Sequence, residues 1–104
     1  MHILENEVLC LALADKGAEL SRVRDKELGC ERLWSADPAV WNRHAPILFP
    51  FVGKVVDGQY RLKGRVYPMK TQHGFARDLD FACEEEGDSS ITQLLCSTAE
   101  TRKI

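Results

Sequence analysis

The sequence predicts an all-β chain of short antiparallel hairpins, a sandwich or barrel, on three observations. Runs of strand length, either alternating or apolar throughout, follow one another along the 104 residues, the pattern of half-buried and buried strands. Turn signals interrupt them often, at Asp15-Lys16-Gly17, Asp57-Gly58 and Lys63-Gly64, as expected of hairpins rather than helices. A strongly apolar stretch, Asn42–Lys54, carries Pro46 and Pro50, which exclude both a helix and an interior strand there.

Taken in order, residues 3–14 read as one or two extended segments, with Asn6-Glu7 as the turn between Ile3-Leu4 and Val8–Leu13. The second run is apolar on both faces and predicts a strand buried between two layers, with a short helix as the alternative that periodicity leaves open. Ala18–Asp25 is the next strand, and Glu31–Trp34 another short one. In Ser35–Trp41 an Asp followed by Pro predicts a single helical turn. Asn42–Lys54 then threads the core as an irregular extended segment. Gln59–Met69 is a hairpin turning at Lys63-Gly64, because Tyr60 and Leu62 alternate with Gln59, Arg61 and Lys63. Leu79, Phe81 and Cys83 mark a further strand, Glu84–Asp88 a solvated turn, and Ile91–Thr98, rich in Ile and Thr, the last strand. Glu100–Ile104 follows it without a turn signal, which predicts that the chain stops within its architecture.

Length and composition bound the function. One small domain spans residues 1–104 and buries roughly 65% of its unfolded surface. A net charge of −2 supplies no electrostatic case for nucleic acid. The longest apolar run is too short to cross a bilayer. The acidic start, Met1-His2-Ile3-Leu4-Glu5-Asn6-Glu7, differs from a signal peptide and predicts a cytoplasmic protein with reduced thiols. The four cysteines, Cys10, Cys30, Cys83 and Cys96, form no C-x-x-C pair and accompany no His-rich motif, so the spacing predicts no metal.

Chemistry concentrates in Gln72-His73-Gly74-Phe75-Ala76-Arg77-Asp78. Gly74 allows a bend that aims His73 and Arg77 at one ligand; the alternative is an ordinary solvated turn. Upstream, Arg43 and Lys54 bracket the proline-rich segment. If both segments line one side of a sheet, they form a basic pocket walled by Trp41, Phe49 and Phe75. Aromatic faces with planar donors suit a sugar, whose C–H face stacks while its hydroxyls need directional partners. The competing reading pairs Arg43 and Arg77 with Asp78 or Asp80 at the surface.

The segments Trp41-Asn42-Arg43-His44-Ala45-Pro46-Ile47-Leu48-Phe49-Pro50, Val52-Gly53-Lys54, Asp57-Gly58-Gln59-Tyr60, Tyr67-Pro68-Met69 and His73-Gly74-Phe75-Ala76-Arg77 together resemble the galactose mutarotase-like (aldose 1-epimerase) family. Asn6-Glu7, Gly17-Ala18-Glu19-Leu20 and Leu33-Trp34 look similar as well. The resemblance covers essentially the whole chain, in the family's order. It implies the N-terminal part of a β-supersandwich that interconverts the α and β anomers of a hexose, with no cofactor. It implies His73 beside the sugar ring as the catalytic contribution and Arg43 and Arg77 at the substrate, to which the reading of the residues adds Trp41, Lys54 and Phe75. In the branch acting on hexose 6-phosphates, Arg43 and Arg77 look like phosphate-binding arginines, which bidentate guanidinium recognition makes chemically sensible. Lys54 stands where many relatives have arginine. The family's glutamate base and its second histidine acid match no position here. The resemblance therefore implies a chain holding part of a sugar site, with unpaired sheet edges that favour self-association. A non-catalytic carbohydrate-binding module is the alternative.

Overall fold

The computed structural model describes residues 1–103. Strands β1 (His2–Glu5), β2 (Leu9–Leu13), β3 (Leu20–Asp25) and β4 (Cys30–Glu31) form an antiparallel meander in that order. The Asn6 side chain makes the first reversal, its Oδ1 accepting the Val8 and Leu9 N–H groups, each at 2.8 Å. The third reversal uses the Asp25 carboxylate on the N–H groups of Glu27 and Leu28 in the same way. Both are Asx turns, in which a short polar side chain substitutes for backbone.

Two separate hairpins follow, β5 (Gln59–Leu62) with β6 (Arg65–Pro68), and β7 (Ala82–Glu86) with β8 (Ile91–Leu94). Both are antiparallel, so the all-β expectation holds. Between the meander and the first hairpin, Asn42–Val55 runs without strand or helix. Its anchor is aromatic: Phe51 meets Tyr60 edge-on at 4.9 Å, and Tyr60 stacks on Tyr67 at 5.3 Å. The expected turn near Pro38 forms, with Trp41 N–H donating to the Asp37 carbonyl at 2.9 Å and the Asp37 side chain accepting from Ala39.

Several expectations are corrected. Val8–Leu13 is not sandwiched between layers; of its strand only Ala12 is buried and Leu9 is exposed, because β2 pairs within a four-stranded sheet while the hairpins form separate sheets. The strand expected at Glu31–Trp34 is confined to Cys30–Glu31, after which the chain turns away. Asp57-Gly58 is not the reversal of a hairpin but part of a 3-10 turn, Val56–Gly58, that leads into β5. Glu84–Glu86 belong to β7, and the reversal lies beyond them, where Gly87 N–H donates to the Ser90 carbonyl at 2.8 Å. A paired strand with solvent on its outer side accommodates three glutamates as readily as a turn does. The last strand ends at Leu94, and a turn does follow it: Thr98 and Thr101 exchange side chain-to-backbone bonds of 2.8 and 3.1 Å ahead of a 3-10 turn at Thr101–Lys103. Ile104 lies outside the described residues.

The core is thin. Among the described residues only Ala12, Met69 and Ala76 are buried apolar positions. The radius of gyration is 16.6 Å and the extents are 55 × 34 × 17 Å, whereas a compact chain of this length has a radius near ~13 Å.

Candidate functional site

The His73 motif is docked onto the proline-rich segment through Gly74. The Phe49 carbonyl accepts from both Phe75 N–H (3.0 Å) and Ala76 N–H (3.2 Å). Gly74 lies at φ +74°, and a Cβ there would strike the Phe49 carbonyl and approach Pro50 Cδ at 2.6 Å. Only glycine meets both demands. On the other side of the motif Gly17, at φ +69°, packs so closely that a Cβ would sit 2.7 Å from the Arg77 carbonyl. Its N–H donates to the Leu79 carbonyl at 2.7 Å. The turn between β2 and β3 thus holds Arg77 in place.

His73 is fixed through Gly53. Its own N–H donates to the Gly53 carbonyl at 2.9 Å, while its Nδ1 accepts the Gly53 N–H at 2.7 Å. A backbone N–H is only a donor, so Nδ1 is the acceptor and the neutral ring carries its proton on Nε2. Nε2 lies 2.9 Å from the Gln72 side-chain amide, which pairs with that proton when it presents its oxygen. The pairing imposes backbone strain, since His73 itself sits at φ 63°.

A cleft of about 480 Å³ opens beside this ring, lined by Trp41, His44, Ala45, Pro46, Leu48, Gln72, His73 and Arg77. Trp41 is steadied by the Trp34 indole N–H, which donates to its carbonyl at 2.9 Å. A second cleft of about 290 Å³ adjoins, sharing His44 and Arg77 and adding Lys16, Glu19, Ser21, Asn42 and Arg43. Arg77 lies between them, and its buried Nε has no hydrogen-bond partner among the described residues. Buried donors are nearly always paired, which sets this atom apart.

The expected site residues divide. Trp41, His73 and Arg77 share one cleft. Arg43 lies in the second, where its Nη2 donates to Asp78 Oδ1 at 2.7 Å. That hydrogen bond, with the charges of Arg43, Arg77 and Lys16, holds the Asp78 carboxyl below the usual carboxylate range despite partial desolvation. Arg43 therefore pairs as the competing reading had it, while Arg77 does not. Phe75 turns away to meet Phe49 edge-on at 6.1 Å. Lys54 lines a different cleft, with Met69 and Lys70.

Glu19 is the residue the motif reading passed over. Its side chain is 12% exposed, and Oε1 accepts the N–H groups of His44 at 2.5 Å and Ala45 at 3.2 Å. One buried carboxylate therefore ties the cleft-forming segment to the start of β3. Its signal was the acidic side chain in Gly17-Ala18-Glu19-Leu20, placed where a strand turns inward. Among the described residues no carboxylate lines the His73 cleft. The arrangement gathers an aromatic face, an imidazole donor, an amide and a guanidinium at one cleft.

Comparison with known proteins bears on this arrangement. The sequence pattern of the aldose 1-epimerase family matches residues 2–102. The chromosomal LacX protein of Lactococcus lactis is 38% identical over 101 residues, which is 93% of this chain and 33% of that protein. A galactose mutarotase-like protein from Lactobacillus casei superposes with a TM-score of 0.94 at 46% identity, over 99% of this chain and 35% of that one. A galactose mutarotase related enzyme from Lactobacillus acidophilus gives 0.93 at 42% identity, over 98% and 34%. The chain thus spans about a third of the length of the relatives it matches. With its antiparallel hairpins, its His73 bend and a match over nearly every residue, the chain belongs to the aldose 1-epimerase family.

Proposed function

We propose that this chain holds a hexose in the His73 cleft and serves the interconversion of its α and β anomers by acid–base ring opening. The observation that carries the reading is that Trp41, Gln72, His73 and Arg77 line one cleft, with the His73 proton on Nε2 and Arg77 Nε unpartnered among the described residues. Trp41 supplies the face on which the C–H side of a pyranose stacks. In the reaction a base removes the proton of the anomeric hydroxyl while an acid protonates the ring oxygen; the C1–O5 bond breaks, C1 rotates, and reclosure gives the other anomer. A positioned acid or base is worth about 10²–10⁴-fold. In this reading His73 Nε2–H exchanges the Gln72 amide, 2.9 Å away, for a ring or anomeric oxygen of the sugar. Among the described residues the cleft offers no carboxylate as base, so in this reading the base comes from outside the cleft.

The neighbouring cleft supports a hexose phosphate as a second reading. Lys16, Arg43 and Arg77 border it, and a phosphate there would compete with Asp78 for Arg43. The four cysteines are all unpaired, in keeping with a reducing cytoplasm, and no described helix is long and apolar enough to cross a membrane. The exposed strand edges favour a second copy of this chain as a partner.

The test is an ¹⁵N-resolved NMR titration with D-galactose, D-glucose and glucose 6-phosphate, paired with polarimetry of freshly dissolved α-anomers. Shifts at Trp41, Gln72 and His73 that vanish in His73→Ala are expected. Stronger binding of the phosphate, lost in Arg77→Ala, would select the second reading. Acceleration of anomer exchange by this chain alone would put acid and base within it. Binding without acceleration would make the chain a carbohydrate-binding unit. No shift with any sugar would reject the proposal.

A further inference from the structure

His2, Cys83 and Glu86 lie far apart in sequence and form no metal-binding pattern there. The fold nevertheless brings a His2 ring nitrogen, Cys83 Sγ and a Glu86 carboxylate oxygen within 4.8 Å of one another. From this cluster we infer a divalent-cation site of the zinc type, joining β1 to the β7–β8 hairpin. It shares no residue with the His73 cleft.

Three observations on different elements support it. The first is a β-bulge. In a regular strand Cys83 and Glu86, three residues apart, would face opposite sides. In β7 the pairing jumps from Cys83↔Gln93 to Glu85↔Thr92, so Glu84 is the extra residue. The phase shifts by one and Glu86 comes onto the side of Cys83. The second is the orientation of His2. Its Nε2 is bonded to Asp15 Oδ1 at 2.8 Å, which leaves Nδ1 free on the Glu86 side at 3.8 Å from Oε1. That gap is too long for a hydrogen bond. A carboxylate behind a histidine is the arrangement that fixes the ring of a metal ligand and raises its basicity. The third is the framework. Asp15 and the β7 approach are tied by backbone, Phe81 N–H donating to the Asp15 carbonyl at 2.8 Å, and Gln93 Nε2 donates to the Ala14 carbonyl at 3.1 Å. The two ends of the cluster are thus held together before any ion arrives.

Imidazole, thiolate and carboxylate form a borderline donor set that suits Zn²⁺ better than Mg²⁺ or Ca²⁺. Around zinc such donors stand about 3.5 Å apart, so small rotations of the half-exposed Glu86 close the set. The thiolate and carboxylate neutralise the dication, and water takes the fourth position. Binding releases the Cys83 thiol proton to solvent. The ion would staple β1 to β7, a structural role.

The experiment is a titration of the purified, tag-free chain with Co²⁺, followed by displacement with Zn²⁺. A thiolate-to-cobalt charge-transfer band in the near ultraviolet, bleached by zinc, is expected. Cys83→Ser should abolish the band, whereas Cys30→Ser and Cys96→Ser keep it. Glu86→Gln should weaken binding, and Asp15→Ala, which removes only the positioning residue, should weaken it about 10-fold or more. Far-ultraviolet circular dichroism of each variant checks that it is folded. Glu86 is exposed, so Glu86→Gln remains informative if Cys83→Ser fails to fold. Absence of the band in the folded wild-type chain overturns the inference. So does a band that survives Cys83→Ser, or affinity unchanged in both Glu86→Gln and Asp15→Ala.

Discussion

Asp78 couples pH to Arg43, which lines the second cleft. Its carboxyl is held low chiefly by the hydrogen bond from Arg43, so the folded chain keeps it charged to lower pH than the unfolded chain does. The stabilisation it brings is present above the unfolded value, 3.8, and is lost as pH falls through the lower, folded value. The Asp78 side chain is 37% exposed, which screens the pair, and its worth is about 0.5 kcal/mol. We predict that Arg43→Ala raises the Asp78 titration towards the ordinary carboxylate range, followed by carboxyl ¹³C shifts. The same variant should lose stability to urea at neutral pH, and that loss should vanish below the Asp78 transition. A titration unmoved by the substitution would exclude the pairing. At this scale much was legible: His73, Arg77 and Trp41 were recognisable as chemistry-bearing residues. The role of Glu19 was not, because its two acceptor bonds go to backbone N–H groups about 25 residues away.

Among the elements, the β5–β6 hairpin has the clearest local cause. Lys63 at φ 52° and Gly64 at φ 79° form a two-residue reversal with both centres left-handed, the turn whose twist matches the strands it joins. Lysine is a poor occupant of the first position, and asparagine a good one. Lys63→Asn should therefore stabilise the chain by about 0.5 kcal/mol, read as a higher urea midpoint with an unchanged slope; a lower midpoint would contradict the turn. Alternation and turn dipeptides made this hairpin readable in advance. The same rules misplaced the reversal of the β7–β8 hairpin, since a run of glutamates reads as a loop. What decides that this run is extended is the pairing of Cys83, Glu85 and Glu86 with Gln93, Thr92 and Ile91. The bulge at Glu84 is likewise a property of two strands in register, absent from either alone.

At the scale of the whole molecule, burial is scarce. Phe49, Val52 and Val56 are between 56% and 82% exposed, and each strand of the two hairpins has a free edge among the described residues. Such edges and patches recruit partners. We predict that the isolated chain self-associates with rising concentration, seen as an increasing mass in light scattering. A charge on the β1 edge, Ile3→Lys, should reduce it. A constant monomer mass together with the 16.6 Å radius of gyration would dismiss the prediction.

The sequence by itself determined the all-β class, most strand positions, the family, and which residues bring chemistry to the candidate site. These follow from alternation, turn residues and short motifs, all of which are local. Tertiary structure alone decided that Trp41, His73 and Arg77 share a cleft while Phe75 and Lys54 lie elsewhere. It also decided that Arg43 answers to Asp78, and that His2 meets Cys83 and Glu86. Each depends on contacts between segments tens of residues apart, whose geometry is set by packing and by backbone hydrogen bonds that no local pattern encodes.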